Sequence, residues 1–140
     1  MASSFSTNLG IEKPNTGELS GTWGDVTNFN FDIFDRVIGA SDLTASDLTT
    51  DLTIRLGSPT SGSTNVQTGM FAVINLKDSG SDLGGTNVVT IAPNTSSKFF
   101  IIKNSLSGSR AATIQQGSGA TVTIPNGNTD IVFCDGNGST

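Results

Sequence analysis

The sequence predicts a mainly β fold: an antiparallel β-sandwich or jelly-roll-like domain, preceded by an extended N-terminal segment and one α-helix at about residues 26–38. Three observations carry this. Gly, Ser, Thr and Asn make up 66 of the 140 residues, while charged residues are only 14%. That balance is too rich in turn formers and β-branched residues for a helix bundle, and too uncharged for an acidic disordered chain. From residue 51 onward, short apolar runs alternate with glycine-rich turns at strand-like spacing. Only one stretch, 16–39, holds a helical pattern, and it contains the single tryptophan and three of the eight phenylalanines.

On a helical wheel Val26, Phe29, Phe31, Ile33, Phe34, Val37 and Ile38 spread over an arc of roughly 200°, twice the ~100° stripe of an ordinary surface helix. Such a helix needs more than one apolar neighbour. Asn28, Asp32, Asp35 and Arg36 hold the remaining face, with Asp32 and Arg36 spaced i,i+4. Asp25 after Gly24 reads as the N-cap and Gly39 as a left-handed residue closing the helix. Asn30 and Thr27 fall inside the apolar arc, so each must find a polar partner there. Ahead of the helix, residues 1–24 are polar, with Phe5, Leu9, Ile11 and Leu19 as isolated apolar anchors. Trp23 is the expected anchor of that segment.

The chain divides into 1–40, an attachment and oligomerisation segment, and 41–140, the β domain. Residues 40–50 form a connection in which Ser-Asp-Leu-Thr occurs twice, read as a coincidental echo in a loop or edge strand, without the period of a repeat architecture. Leu52, Ile54 and Leu56 alternate with polar residues, as in a strand with one buried face. A loop at 57–64 leads to 70–76, whose unbroken apolar run reads as a strand buried on both faces. Beyond a turn at 78–85 come strands at 87–91, 99–104, 110–115, 120–124 and 130–134, and 99–104 is the most apolar. Asn126-Gly127 carries the signal of a type I′ hairpin.

Catalytic sets are missing from the sequence. It has no histidine and no tyrosine, and its one cysteine, Cys134, sits in the apolar run 131–134 as a buried small hydrophobe. Asp32 and Asp35 are a charged outer helix face, and Gly84-Gly85-Thr86 lacks the lysine of a phosphate cradle. Asp135, Asn137 and Ser139, and separately Asp78 and Asp82, have oxygen-ligand spacing, yet both sequences are also ordinary turns. No enzyme activity, metal or cofactor is expected. The net charge of −5 and seven dispersed cations argue against a phosphate-backbone partner, so no nucleic acid is expected. No signal peptide or membrane-spanning run is present, so no membrane partner is expected.

Two stretches resemble bacteriophage tail-fibre and related virion appendage proteins, particularly those of short-tailed and marine phages. The first is Asn8-Leu-Gly-Ile with Pro14, Gly17-Glu-Leu-Ser-Gly-Thr-Trp-Gly24 and the helix behind it. It is similar to the segment by which such proteins begin. The second comprises Lys98-Phe-Phe-Ile-Ile-Lys-Asn104, Gly108, Gly117 to Gly119, Thr123-Ile-Pro-Asn-Gly127 and Phe133-Cys-Asp-Gly136, similar to the small β domain that follows. The resemblance implies a non-enzymatic structural protein of the virion, made in the bacterial host cytoplasm: a tail-fibre base or adaptor that docks on other tail or capsid proteins and forms a homotrimer. The alternatives are a glycan-binding module of a receptor-binding protein and a capsid appendage or decoration protein. Residues expected at the interface are Trp23, Phe29, Asn30, Ile33, Phe34 and Val37.

Overall fold

The structure, a computed structural model, describes residues 4–6, 9–45, 52–55, 67–78 and 87–137. The loop expected at 57–64, most of the turn at 78–85, Leu56, the second Ser-Asp-Leu-Thr, Asp82 and Ser139 lie outside the described residues.

The chain opens with two short antiparallel strands, β1 (Ser4–Phe5) and β2 (Glu12–Lys13). A turn at 15–18 follows, in which the Glu18 amide donates to the Asn15 carbonyl (3.0 Å) and the Asn15 amide to the Glu18 carboxylate (3.0 Å). Gly21, at φ +88°, then redirects the chain into the helix α1 (Trp23–Val37). The helix starts three residues before the expected boundary, with Thr22 at the N-cap. Asp25 lies in its first turn, where a carboxylate still faces the positive end of the helix dipole. Gly39 is not left-handed; its amide closes on the Arg36 carbonyl at 2.9 Å.

Eight strands form two four-stranded sheets. They are β3 (Ala40–Ala45), β4 (Leu52–Arg55), β5 (Val73–Asp78), β6 (Asn87–Ala92), β7 (Ser97–Asn104), β8 (Ala112–Gln116), β9 (Thr121–Ile124) and β10 (Thr129–Asp135). The first sheet runs β10-β7-β5-β3 and the second β4-β6-β8-β9. Successive strands from β3 to β8 therefore alternate between sheets, as in a flattened coil that adds one strand to each sheet per turn. The mainly β class with one helix is as expected, but the pairing direction differs. Within these two sheets, among the described residues, the β3–β5, β5–β7, β4–β6 and β6–β8 ladders are parallel, and only β7–β10 and β8–β9 are antiparallel. Strands that alternate between layers always return to their own sheet in the same sense, which makes them parallel.

Residues pointing between the sheets form the main core: Ile54, Ile74, Leu76, Val89, Ile91, Phe100, Ile102, Ala112, Ile114, Ile124, Val132 and Cys134 are all buried. The run at 70–76 is not a strand buried on both faces. It begins in a 3-10 turn, Thr68–Met70, and within β5 Ile74 and Leu76 point inward while Val73 and Asn75 are half-buried. Nor is Asn126-Gly127 a type I′ hairpin. Only Gly127 has positive φ (+76°), the Asn128 amide bonds the Pro125 carbonyl (3.1 Å), and β9 and β10 belong to different sheets. A four-residue corner crossing between layers suits a turn with one left-handed residue.

Two buried amides hold the connections. The Asn104 side chain donates to the carbonyls of Arg110 (2.8 Å) and Ile124 (2.9 Å) and accepts from the Leu106 amide (3.1 Å). Gln116 donates to the Ser96 carbonyl (2.7 Å) and accepts from the Gly136 amide (3.3 Å). Gly136 is required where it stands: φ is +76°, and a Cβ would lie 2.8 Å from the Thr95 carbonyl oxygen.

Candidate assembly interface

The 200° apolar arc of α1 is divided in two. At 100° per residue, Phe29, Ile33, Val26 and Val37 occupy one half. Phe29 and Ile33 are buried against Met70 of the 3-10 turn, with Leu9 and Ile11 of the N-terminal segment packed alongside; Val26 is buried and Val37 half-buried. The other half, Trp23, Phe34, Ile38 and Phe31 in angular order, faces solvent, with exposures from 54% (Phe34) to 83% (Ile38).

Asn30 lies at the seam between these halves and binds the chain itself. Its Oδ1 accepts from the Glu12 amide (3.1 Å) and its Nδ2 donates to the Glu12 carbonyl (3.0 Å), so β2 is clamped to the helix. Thr27 donates to the Trp23 carbonyl (2.9 Å), the usual use of a threonine hydroxyl within a helix. Of the six residues expected at an interface, Phe29 and Ile33 thus belong to the chain's own core, Asn30 is held by Glu12, Val37 is half-buried, and Trp23 and Phe34 face outward. Trp23 is not the anchor of the N-terminal segment. Leu9, Ile11 and the Glu12 backbone take that part.

A second exposed apolar surface lies on the outward face of the first sheet, where β10 and β7 pair. Phe133 stands opposite Phe99 and Ile131 opposite Ile101. Phe99, Ile131 and Phe133 are between 55% and 70% exposed. The sequence marks 99–104 as the most apolar strand, but composition alone does not say which of its residues face outward. The alternation itself holds the signal: Phe100 and Ile102 point inward, which sends Phe99 and Ile101 outward.

The outward face of the second sheet differs sharply. There Thr113 pairs with Thr123, Gln115 with Thr121, and Thr90 with Gln115, a polar surface suited to water. Away from the phenylalanines the first sheet is polar too. Lys77 sits 2.7 Å from the Asp42 carboxylate and Asn75 donates to it at 3.0 Å, which holds the Asp42 carboxyl below its usual pKa range, the lysine being the larger cause.

The apolar sheet surface adjoins the helix-bearing end of the molecule. Lys98, next to Phe99, donates to the carbonyls of Gly69 (2.6 Å) and Phe71 (3.3 Å), which flank the Met70 that packs on α1. Its ammonium lies over the Phe100 ring at 4.9 Å from the centroid, and burial lowers its pKa to about 8.

A shallow cleft between the sheets, at the β9 and β10 edges, is lined by Ile91, Ile114, Val122 and Val132 with Cys134 and Gln116. Burial first, and then the neighbouring Asp135 charge, push the Cys134 thiol up to about 11, so it stays protonated and unreactive near neutrality. Among the described residues no group of three or more His, Cys, Asp or Glu side chains could hold a metal ion. The Asp135 carboxylate accepts from the Asn137 amide (2.9 Å), as in an ordinary Asx turn. No helix among the described residues is long and apolar enough to cross a membrane. No protein-family model, curated protein or solved structure matches this chain.

Proposed function

We propose that this protein is a non-catalytic structural module that works as a homo-oligomer, a trimer in the virion-appendage role that its sequence resembles. In that role it is a tail-fibre base or adaptor docking on other proteins of the phage particle. The observation that carries this reading is the divided helix. One half of the apolar arc meets the chain's own core, and the other half presents Trp23, Phe31, Phe34 and Ile38 to water.

An exposed apolar stripe of this size often marks a surface that another molecule covers. With ~150–250 Å² for each aromatic side chain, these four residues expose about 500 Å² of contiguous apolar surface, near the upper end of what monomers tolerate. Self-association covers the stripe and leaves Asp32, which is exposed and lies 3.8 Å from the largely covered Arg36, on the opposite side of the helix in water. Sedimentation of the purified protein at micromolar concentration is expected to give a trimer, and a clean monomer refutes the reading.

A further inference from the structure

We infer that the outward stripe of α1 packs against the outward β7–β10 surface of a second copy, so that the interface is head-to-tail and closes into a ring. This rests on the assembly reading above and names the surface that receives the helix.

Among its described residues each copy carries two exposed apolar surfaces of different shape. One is a ridge along a helix (Trp23, Phe31, Phe34, Ile38). The other is a sheet face (Phe99, Ile131, Phe133). Within one chain they cannot meet, because the opposite half of the helix is fixed on Met70, Leu9 and Ile11 and turns the ridge away. Helices pairing with themselves around an axis would cover the ridge and leave Phe99, Ile131 and Phe133 in water. A head-to-tail contact covers both surfaces with one kind of interface, and repeated head-to-tail contacts close into rings when the rotation allows. Helix against sheet face is also among the ordinary ways in which two apolar layers pack.

The areas agree. Ridge and sheet surface together expose about 900 Å² of apolar area, at ~150–250 Å² per aromatic side chain. At an apolar share of about 60%, that is the apolar part of an interface of about 1,500 Å², within the range of specific complexes. The second sheet supplies the internal contrast: its outward face carries threonine and glutamine with Val88 half-buried among them, and no large apolar residue among its described ones is exposed.

Mixing two variants tests the inference. Phe34→Glu breaks the ridge and leaves the sheet surface intact, and Phe133→Glu does the reverse. Both residues are exposed, and unchanged circular dichroism checks that both variants fold; Phe31→Glu replaces Phe34→Glu if it does not. Each variant alone is expected to sediment as a monomer. An equimolar mixture, studied well above the concentration at which the wild-type protein assembles, is expected to give a dimer of one copy of each, joined by the one intact ridge and the one intact sheet surface. If Phe133→Glu stays assembled, or the mixture yields no mixed dimer, the head-to-tail interface is wrong while the assembly reading stands. A monomeric wild-type protein overturns both.

Discussion

Ile33 and Phe34 are neighbours in sequence, and α1 sends them to opposite fates. Ile33 is fully buried against Phe29 and Met70, and Phe34 is 54% exposed. Ile33→Ala removes buried methylenes from a small, closed cluster and is expected to cost about 2–5 kcal/mol. For 140 residues, an unfolding entropy of ~2.1 cal/mol/K per residue makes 3 kcal/mol about 10 °C in Tm.

Phe34→Ala is different. The part of the ring covered by its own chain amounts to about 90 Å², which sets an upper bound of about 2 kcal/mol at 25 cal/mol/Å². Alanine's better helix propensity offsets about 0.5 kcal/mol of that. In dilute solution Ile33→Ala should therefore be the worse, by at least about 0.5 kcal/mol and by more than about 1 kcal/mol for a mid-range core loss. The loss from Ile33→Ala should be independent of protein concentration, whereas Phe34→Ala should add a loss that grows as the concentration enters the assembly range. Thermal melts at two concentrations read both effects. Because the Ile33 cluster is separate from the main core, hydrogen exchange of the helix amides should report the same loss even where the sheets melt unchanged. The division of the helix is refuted if Phe34→Ala is as damaging as Ile33→Ala in dilute solution.

Three further outcomes follow from the core. Asn104→Leu strands the Arg110 and Ile124 carbonyls and the Leu106 amide; at ~1–3 kcal/mol for each buried group left without a partner, a loss above about 3 kcal/mol is expected in denaturant titration, and a neutral result would mean that water reaches the site. Cys134, its thiol raised to about 11, should react with iodoacetamide far more slowly in the folded than in the unfolded protein at pH 8. Since the folded form favours the neutral thiol, Cys134 contributes stability in full below the unfolded pKa near 9 and loses it as pH rises towards 11. Cys134→Ser should flatten that part of the stability profile.

Much of the β body was legible from residue order. Period-two alternation placed β4, and the turn residues bounded β6 to β10 to within a residue or two. Direction of pairing was not legible, because Ile74 and Leu76 alternate with their neighbours in the same way whichever sense the adjacent strand takes. Sheet membership was hidden for a related reason: β3 and β5 pair across residues 46–72, and no local signal reports that distance. For the candidate interface, the width of the apolar arc was legible, and it called for two neighbours. Which half was which depended on Met70, far along the chain, meeting Phe29 and Ile33. The outward aromatics were masked by the inward apolar residues beside them, Phe100 in β7 and Val132 and Cys134 in β10.

The alternation of strands between the two sheets also imposes a parity on the length of this molecule. Inserting one strand between β6 and β7 would send every later strand to the opposite sheet and turn Phe99, Ile131 and Phe133 towards the polar side. Inserting two, one full coil, preserves every later strand's layer and facing. Such a coil moves β7 and β10 one strand spacing, about 4.8 Å, away from α1, with both ends of the stack unchanged. The distance between the helix ridge and the phenylalanine surface is therefore adjustable only in steps, and the number of coils sets it.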